Sequence, residues 1–170
     1  MAISLYDASI PSYIQALGAA SAILKKAETW AAERKIDASV LINARLAPDM
    51  LPLKRQIQIA TDGAKGVGAR LSQSENPRYE DNEETFDDLQ ARIAKTVAFL
   101  KGLDKAAFDG SETRPISLQL GPNKVEFPTG TAYVTGFATA NFFFHIAATY
   151  MILRENGLDI GKRDYIGAQL

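Results

Sequence analysis

The chain contains no cysteine and a single histidine, His145. Disulfide frameworks, thiolate metal centres and cysteine nucleophiles are excluded, as is any site built from two or three imidazoles of one chain. Net charge is scarce too: 19 Lys and Arg against 20 Asp and Glu leave −1 at pH 7. That balance exerts no long-range pull on phosphate backbones or anionic lipid, so no nucleic acid is expected as a partner. Met1 to Asp7 lacks the basic start and apolar run of a secretory signal, and a cytoplasmic protein is expected. No G-x-S-x-G stretch places a serine for attack.

What is present is ordinary globular composition. The 170 residues, 46% hydrophobic and 23% charged, suffice for one core but not for two typical domains, so residues 1–170 read as a single domain. Ser9 followed by Pro11 suggests a helix start, and Ile10, Ile14, Leu17, Ser21 and Leu24 carry that helix towards Arg34. Asp37 to Leu46 adds a short helical piece, and Ala47-Pro48-Asp49 reads as a break and a fresh cap. The second long helix has the cleanest period: Leu53, Ile57, Ala60, Ala64, Val67 and Leu71 alternate steps of four and three.

Ser72 to Glu84 is polar and reads as an exposed connection; Thr85 with Asp88 then imitates a capping box. Phe86, Leu89, Ile93, Val97 and Leu100 form the seam of the third long helix, which ends near Gly102 or Leu103. From Ile116 to Phe127 apolar residues alternate with polar ones around Gly121-Pro122-Asn123, which predicts a small hairpin. The fourth long helix is expected over Ala138 to Asn156, stopping at Gly157. Thr131 to Leu153 holds no charged residue and is long enough to cross a bilayer, but Gly136, Asn141 and His145 dilute it. A buried helix and no membrane partner are expected. The fold class is therefore all-α, a four-helix bundle with a small β-hairpin between the third and fourth long helices.

Few residues carry chemistry. His145 lies to one side of the fourth helix's seam, beside Asn141 one turn earlier, and Gln56 occupies the equivalent flank of the second helix. His145 reads as a core-edge histidine satisfied by a neighbouring helix, as a ligand-pocket residue, or as one ligand of an atypical metal site. With Thr149, a turn beyond, these define the candidate ligand pocket: His145, Asn141, Gln56 and Thr149. Gln58 and Asp62 point away from that seam on a regular helix. Gly63 to Gly68 resembles a phosphate loop only superficially, sitting inside a helical period, and its glycines read as permitting close helix approach. The acids Glu80, Asp81, Glu83, Glu84, Asp87 and Asp88 read as a solvated helix start. Neither a resident metal nor any other cofactor is expected.

Five stretches carry a resemblance: Leu5-Tyr6-Asp7-Ala8-Ser9, Arg45-Leu46-Ala47-Pro48-Asp49-Met50, Asn141-Phe142-Phe143-Phe144-His145, Leu153-Arg154-Glu155-Asn156-Gly157 and Gly161-Lys162-Arg163-Asp164-Tyr165. The chain resembles a bacterial domain-of-unknown-function family within the DinB/YfiT-like superfamily. That resemblance implies a DinB-type four-helix bundle, often dimeric. Many superfamily members bind a divalent metal through one histidine on the second helix and a His-x-x-x-His pair on the fourth. Here Asn141-x-x-x-His145 keeps the spacing with one imidazole, and Gln56 stands near the second-helix ligand position. The expected function is small-ligand binding or protein interaction on a bundle without the three-histidine site, the alternative being an enzyme using His145 as general acid, base or atypical metal ligand. A homodimer is expected because the fourth helix has more apolar surface than one seam can bury.

Overall fold

The computed structural model describes residues 3–167; Met1 and Ala2, part of the stretch read above for a leader, lie outside it. Four long helices form the body: α1 (Leu5–Glu33), α3 (Leu53–Ser72), α4 (Phe86–Lys101) and a final helix in three parts, α5 (Gly130–Tyr133), a π-helical turn (Val134–Ala138) and α6 (Thr139–Glu155). Short α2 (Ala38–Ile42) precedes α3, and α7 (Lys162–Ile166) closes the described chain. A two-stranded antiparallel sheet, β1 (Ile116–Leu120) and β2 (Asn123–Phe127), lies between α4 and α5 with Leu118 opposite Val125.

Packing follows the seams. α3 lies against both α4 and α6, and α1 against α4 and α6. All six seam residues of α3, from Leu53 to Leu71, are buried, and the helix runs unbroken through Gly63. Thr85 and Asp88 form the reciprocal capping box that starts α4. At the end of α6 the Leu158 amide donates to Leu153 O at 3.1 Å and the Gly157 amide to Arg154 O at 3.1 Å, with Gly157 at φ 97°. This paired closure needs a left-handed residue where glycine stands.

Three boundaries differ from the sequence expectation. α1 starts at Leu5, capped by Ser4, whose Oγ accepts from the Asp7 amide at 3.2 Å. Ser9 is inside the helix, buried, its hydroxyl donating back to Leu5 O at 2.6 Å, and Pro11 forfeits one backbone bond without stopping the helix. α3 begins after Pro52 with no side-chain cap, Asp49 belonging to the turn before it. The last helix begins at Gly130 rather than Ala138, capped by Thr129 and passing through the π turn.

The segment Gln73–Glu84 is largely exposed, as expected, but it is pinned to the bundle through the buried Glu83. It is a strap anchored on Arg92, whose side chain is 0% exposed. Arg92 donates to Glu83 Oε1 at 2.9 Å, to Asp62 Oδ1 at 2.9 Å and to Thr61 Oγ1 at 2.7 Å, and lies 3.1 Å from Asp81. Glu83, expected in solvent, is 4% exposed and also accepts from Gln58 Nε2 at 2.7 Å. Gln58 does turn from the seam, yet the strap buries it. A charge this deep persists only when paired and hydrogen-bonded, and the acids ahead of α4 supply that pairing.

The helix from Gly130 to Glu155 is long and apolar enough to cross a membrane. Its residues Phe142, Ile146, Ile152 and Leu153 are buried in the common core with α1 and α3.

Candidate functional site

α3 and α6 run antiparallel along a shared seam, so Gln56 lies opposite His145, Gly63 opposite Asn141 and Arg70 opposite Tyr133. His145, 8% exposed, makes a 2.7 Å bond from Nδ1 to Gln56 Oε1. Gln56 Nε2 donates to Leu51 O at 2.8 Å, which fixes the amide so that Oε1 faces the imidazole. A carboxamide oxygen can only accept; His145 Nδ1 therefore carries the proton, and in the neutral ring Nε2 holds a lone pair. Burial lowers the His145 pKa below its ordinary 6.5, favouring that neutral form.

Of the four residues singled out from the sequence, the structure joins His145 to Gln56 directly. Thr149 is buried, and its hydroxyl is spent on its own helix, donating to His145 O at 2.9 Å. Asn141 stands a turn from His145 and lines a depression of about 370 Å³ between α3, β1 and the π turn. Its amide makes no hydrogen bond among the described residues. The four residues thus follow one seam without surrounding one cavity.

Sequence reasoning missed the depression's other polar members. Lys65 is buried, its ammonium 3.2 Å from Asp62 and 3.4 Å from Asn76 Oδ1. Arg70 donates to the Tyr133 hydroxyl at 3.2 Å and lies over that ring, 5.9 Å from its centroid. The guanidinium folds back along α3, and a Cβ at Gly66 would overlap its Nη1. The signal was present: a glycine four residues before an arginine on one helix face leaves the groove in which that arginine lies.

The three glycines of α3 do different things. A Cβ at Gly68 would stand 2.6 Å from Leu103 Cδ1, so there close packing demands glycine. Gly66 makes room for Arg70. At Gly63 a Cβ would meet only Asn141 Nδ2 at 3.7 Å, an ordinary contact, so packing does not require glycine there. Across the groove the π turn places Phe137 in the same depression, and Phe127 of β2 packs on Phe137 and Tyr133 at 5.8 and 5.3 Å between centroids. A π turn sacrifices regular α-helical bonding and is frequent at functional sites.

The divalent metal implied by the DinB resemblance does not fit these residues. Gln56 Oε1 is engaged with the histidine it would have to join as a ligand, and Asn141 offers a carboxamide where an imidazole is needed. Among the described residues no group of three His, Cys, Asp or Glu side chains converges to hold a metal.

A family model described as a domain of unknown function, DUF1993, matches residues 5–166. Among solved structures, the crystal structure of a DinB family member protein from Shewanella denitrificans is similar with a TM-score of 0.87 and 38% identity, over 97% of this chain and 93% of that one. No curated protein matches. Sequence and architecture together therefore make this chain a member of the DUF1993 family with the fold of a DinB family protein.

Proposed function

We propose that this protein binds a small molecule in the groove between α3, β1 and the π turn, beside Asn141, without a metal. The observation that carries this reading is the pairing of Gly63 with Asn141. A helix-interior glycine costs about 1 kcal/mol relative to alanine, packing does not require it, and it stands beside an amide that has no hydrogen-bond partner among the described residues, both lining an open depression. Ile59, Leu118 and Phe137 supply apolar walls, and a few polar groups converge between them, as in small-molecule sites generally. The protein acts in the cytoplasm as a homodimer, with neither nucleic acid nor membrane as partner. Dimerisation is supported by Phe144 and Met151 on α6, which remain 56% and 47% exposed although the tail buries Leu158 and Ile160 and packs α7 on α1. Native mass spectrometry of untagged protein, followed by amide NMR with a fragment library, tests the binding reading. Retained molecules or fragments that shift Gly63 and Asn141 support it; a groove that no fragment perturbs refutes it.

A second reading rests on His145. Its Nε2 makes no hydrogen bond among the described residues, and Gln56 holds the ring in the tautomer that leaves this nitrogen basic. An enzyme using it as general base would lose turnover in His145→Gln while ligand binding at Asn141 persisted.

A further inference from the structure

We infer that the ligand of the groove between α3, β1 and the π turn is a small organic monocarboxylate with an apolar body, its carboxylate held by Arg70. The inference rests on the groove reading above and adds its chemical class. Two cations line the depression, and one of them is already matched: Lys65 lies 3.2 Å from Asp62. Arg70 has no carboxylate partner among the described residues; its one hydrogen bond goes to the neutral Tyr133 hydroxyl. One unmatched cation calls for one negative charge, which favours a carboxylate over a phosphate dianion.

The shape of the donor argues the same way. A guanidinium presents parallel N–H groups that match the two oxygens of a carboxylate, and such charge-assisted pairs are roughly twice as strong as neutral hydrogen bonds. Arg70 is preorganised for this role. The Tyr133 ring and the Gly66 backbone hold its guanidinium folded along α3, so little side-chain freedom is lost on binding. Leu118 and Leu120 of β1 and Phe137 of the π turn give the depression apolar surface for the ligand's body, alongside the paired Asp62 and Lys65. Asn141 stands where it can bond a polar substituent through either end of its amide.

The test is an amide NMR titration of the full chain with hexanoate and benzoate, each compared with its uncharged amide, and with inorganic phosphate. The acids should shift Gly63, Gly66 and Asn141 and bind at least tenfold more tightly than the amides, while phosphate stays weaker than either acid. Arg70→Gln should remove the tenfold preference, and Arg70→Lys should restore part of it. Gly63→Ala should raise the melting temperature of the free protein yet weaken hexanoate binding tenfold or more, so lost binding there cannot be misfolding. Amides that bind at Gly63 as tightly as acids, or phosphate that binds more tightly, would overturn the carboxylate assignment and leave the groove reading standing. If every probe leaves Gly63 and Asn141 unmoved, both fail. Should Arg70→Gln not fold, the acid–amide comparison and Gly63→Ala still decide.

Discussion

Replacing Arg92 with methionine keeps most of the buried stem and deletes the charge, which isolates the electrostatic role of the strap anchor. The consequences differ among its partners. Asp62 keeps Lys65 at 3.2 Å and Asp81 keeps Arg55 at 2.6 Å, so both remain paired. Glu83 does not: it is left at 4% exposure with only the Gln58 amide donating to it. Stranding one buried charge costs about 3–5 kcal/mol, a large share of the roughly 5–15 kcal/mol that holds a domain of ordinary stability. Glu83→Leu should cost less, about 1–3 kcal/mol, because Arg92 retains Asp62 and Asp81. The double variant removes both charges and should be more stable than Arg92→Met alone, leaving chiefly the Gln58 amide unpaired. Urea unfolding of the four proteins gives the cycle directly. A loss below about 1 kcal/mol in Arg92→Met, or a double variant worse than the sum of the singles, would refute the reasoning.

The remaining predictions use other parts of the molecule. Because burial lowers the His145 pKa from 6.5, the unfolded chain binds a proton that the native state resists; stability is full above that value and declines as pH falls through it. His145→Gln should flatten this slope between about pH 7 and 5, ahead of the lower window in which paired carboxylates titrate, and an unchanged slope would exclude His145 as its source. Ser111 Oγ is buried without a partner, so Ser111→Ala should be neutral or stabilising by about 1 kcal/mol, whereas a loss of that size would mean that a bound water satisfies the hydroxyl. Sedimentation equilibrium should give a dimer that Phe144→Asp dissociates, and a wild-type monomer at high micromolar concentration would refute the α6 interface. Protein purified without a histidine tag should lack stoichiometric zinc or nickel by elemental analysis; metal near one equivalent that is lost in His145→Ala would reverse that expectation.

Local pattern made much of the fold legible. The four-three alternation of α3, the Thr85–Asp88 box and the two-residue alternation from Ile116 each depend on neighbours within a few residues, and each stands in the structure. The Gln56–His145 contact was within reach because both residues flank regular seams on helices that had to pack. Arg92 was not: its burial depends on a strap that covers a helix face otherwise open to water, and nothing within a turn of Arg92 announces that cover. The start of the last helix was hidden for a different reason. Gly130 to Ala138 holds glycines and threonines that weaken any helical signal, and a π turn breaks the three-and-a-half-residue rhythm by which a helix is recognised. Arg70 was overlooked because its position depends on what Gly66 lacks.

The π turn also sets a phase between two halves of one helix. On its N-terminal side Tyr133 is committed to Arg70 and to Phe127 of the hairpin; on its C-terminal side His145 is committed to Gln56 of α3 and Asn141 faces Gly63. One residue of helix corresponds to a rotation of about 100°. Deleting a single residue from Val134 to Ala138 would restore ordinary helical winding at the cost of turning one half away from its partners, the hairpin swinging with it. The turn works as a fixed angular offset, and the two ends of the groove can face the same way only while that offset is kept.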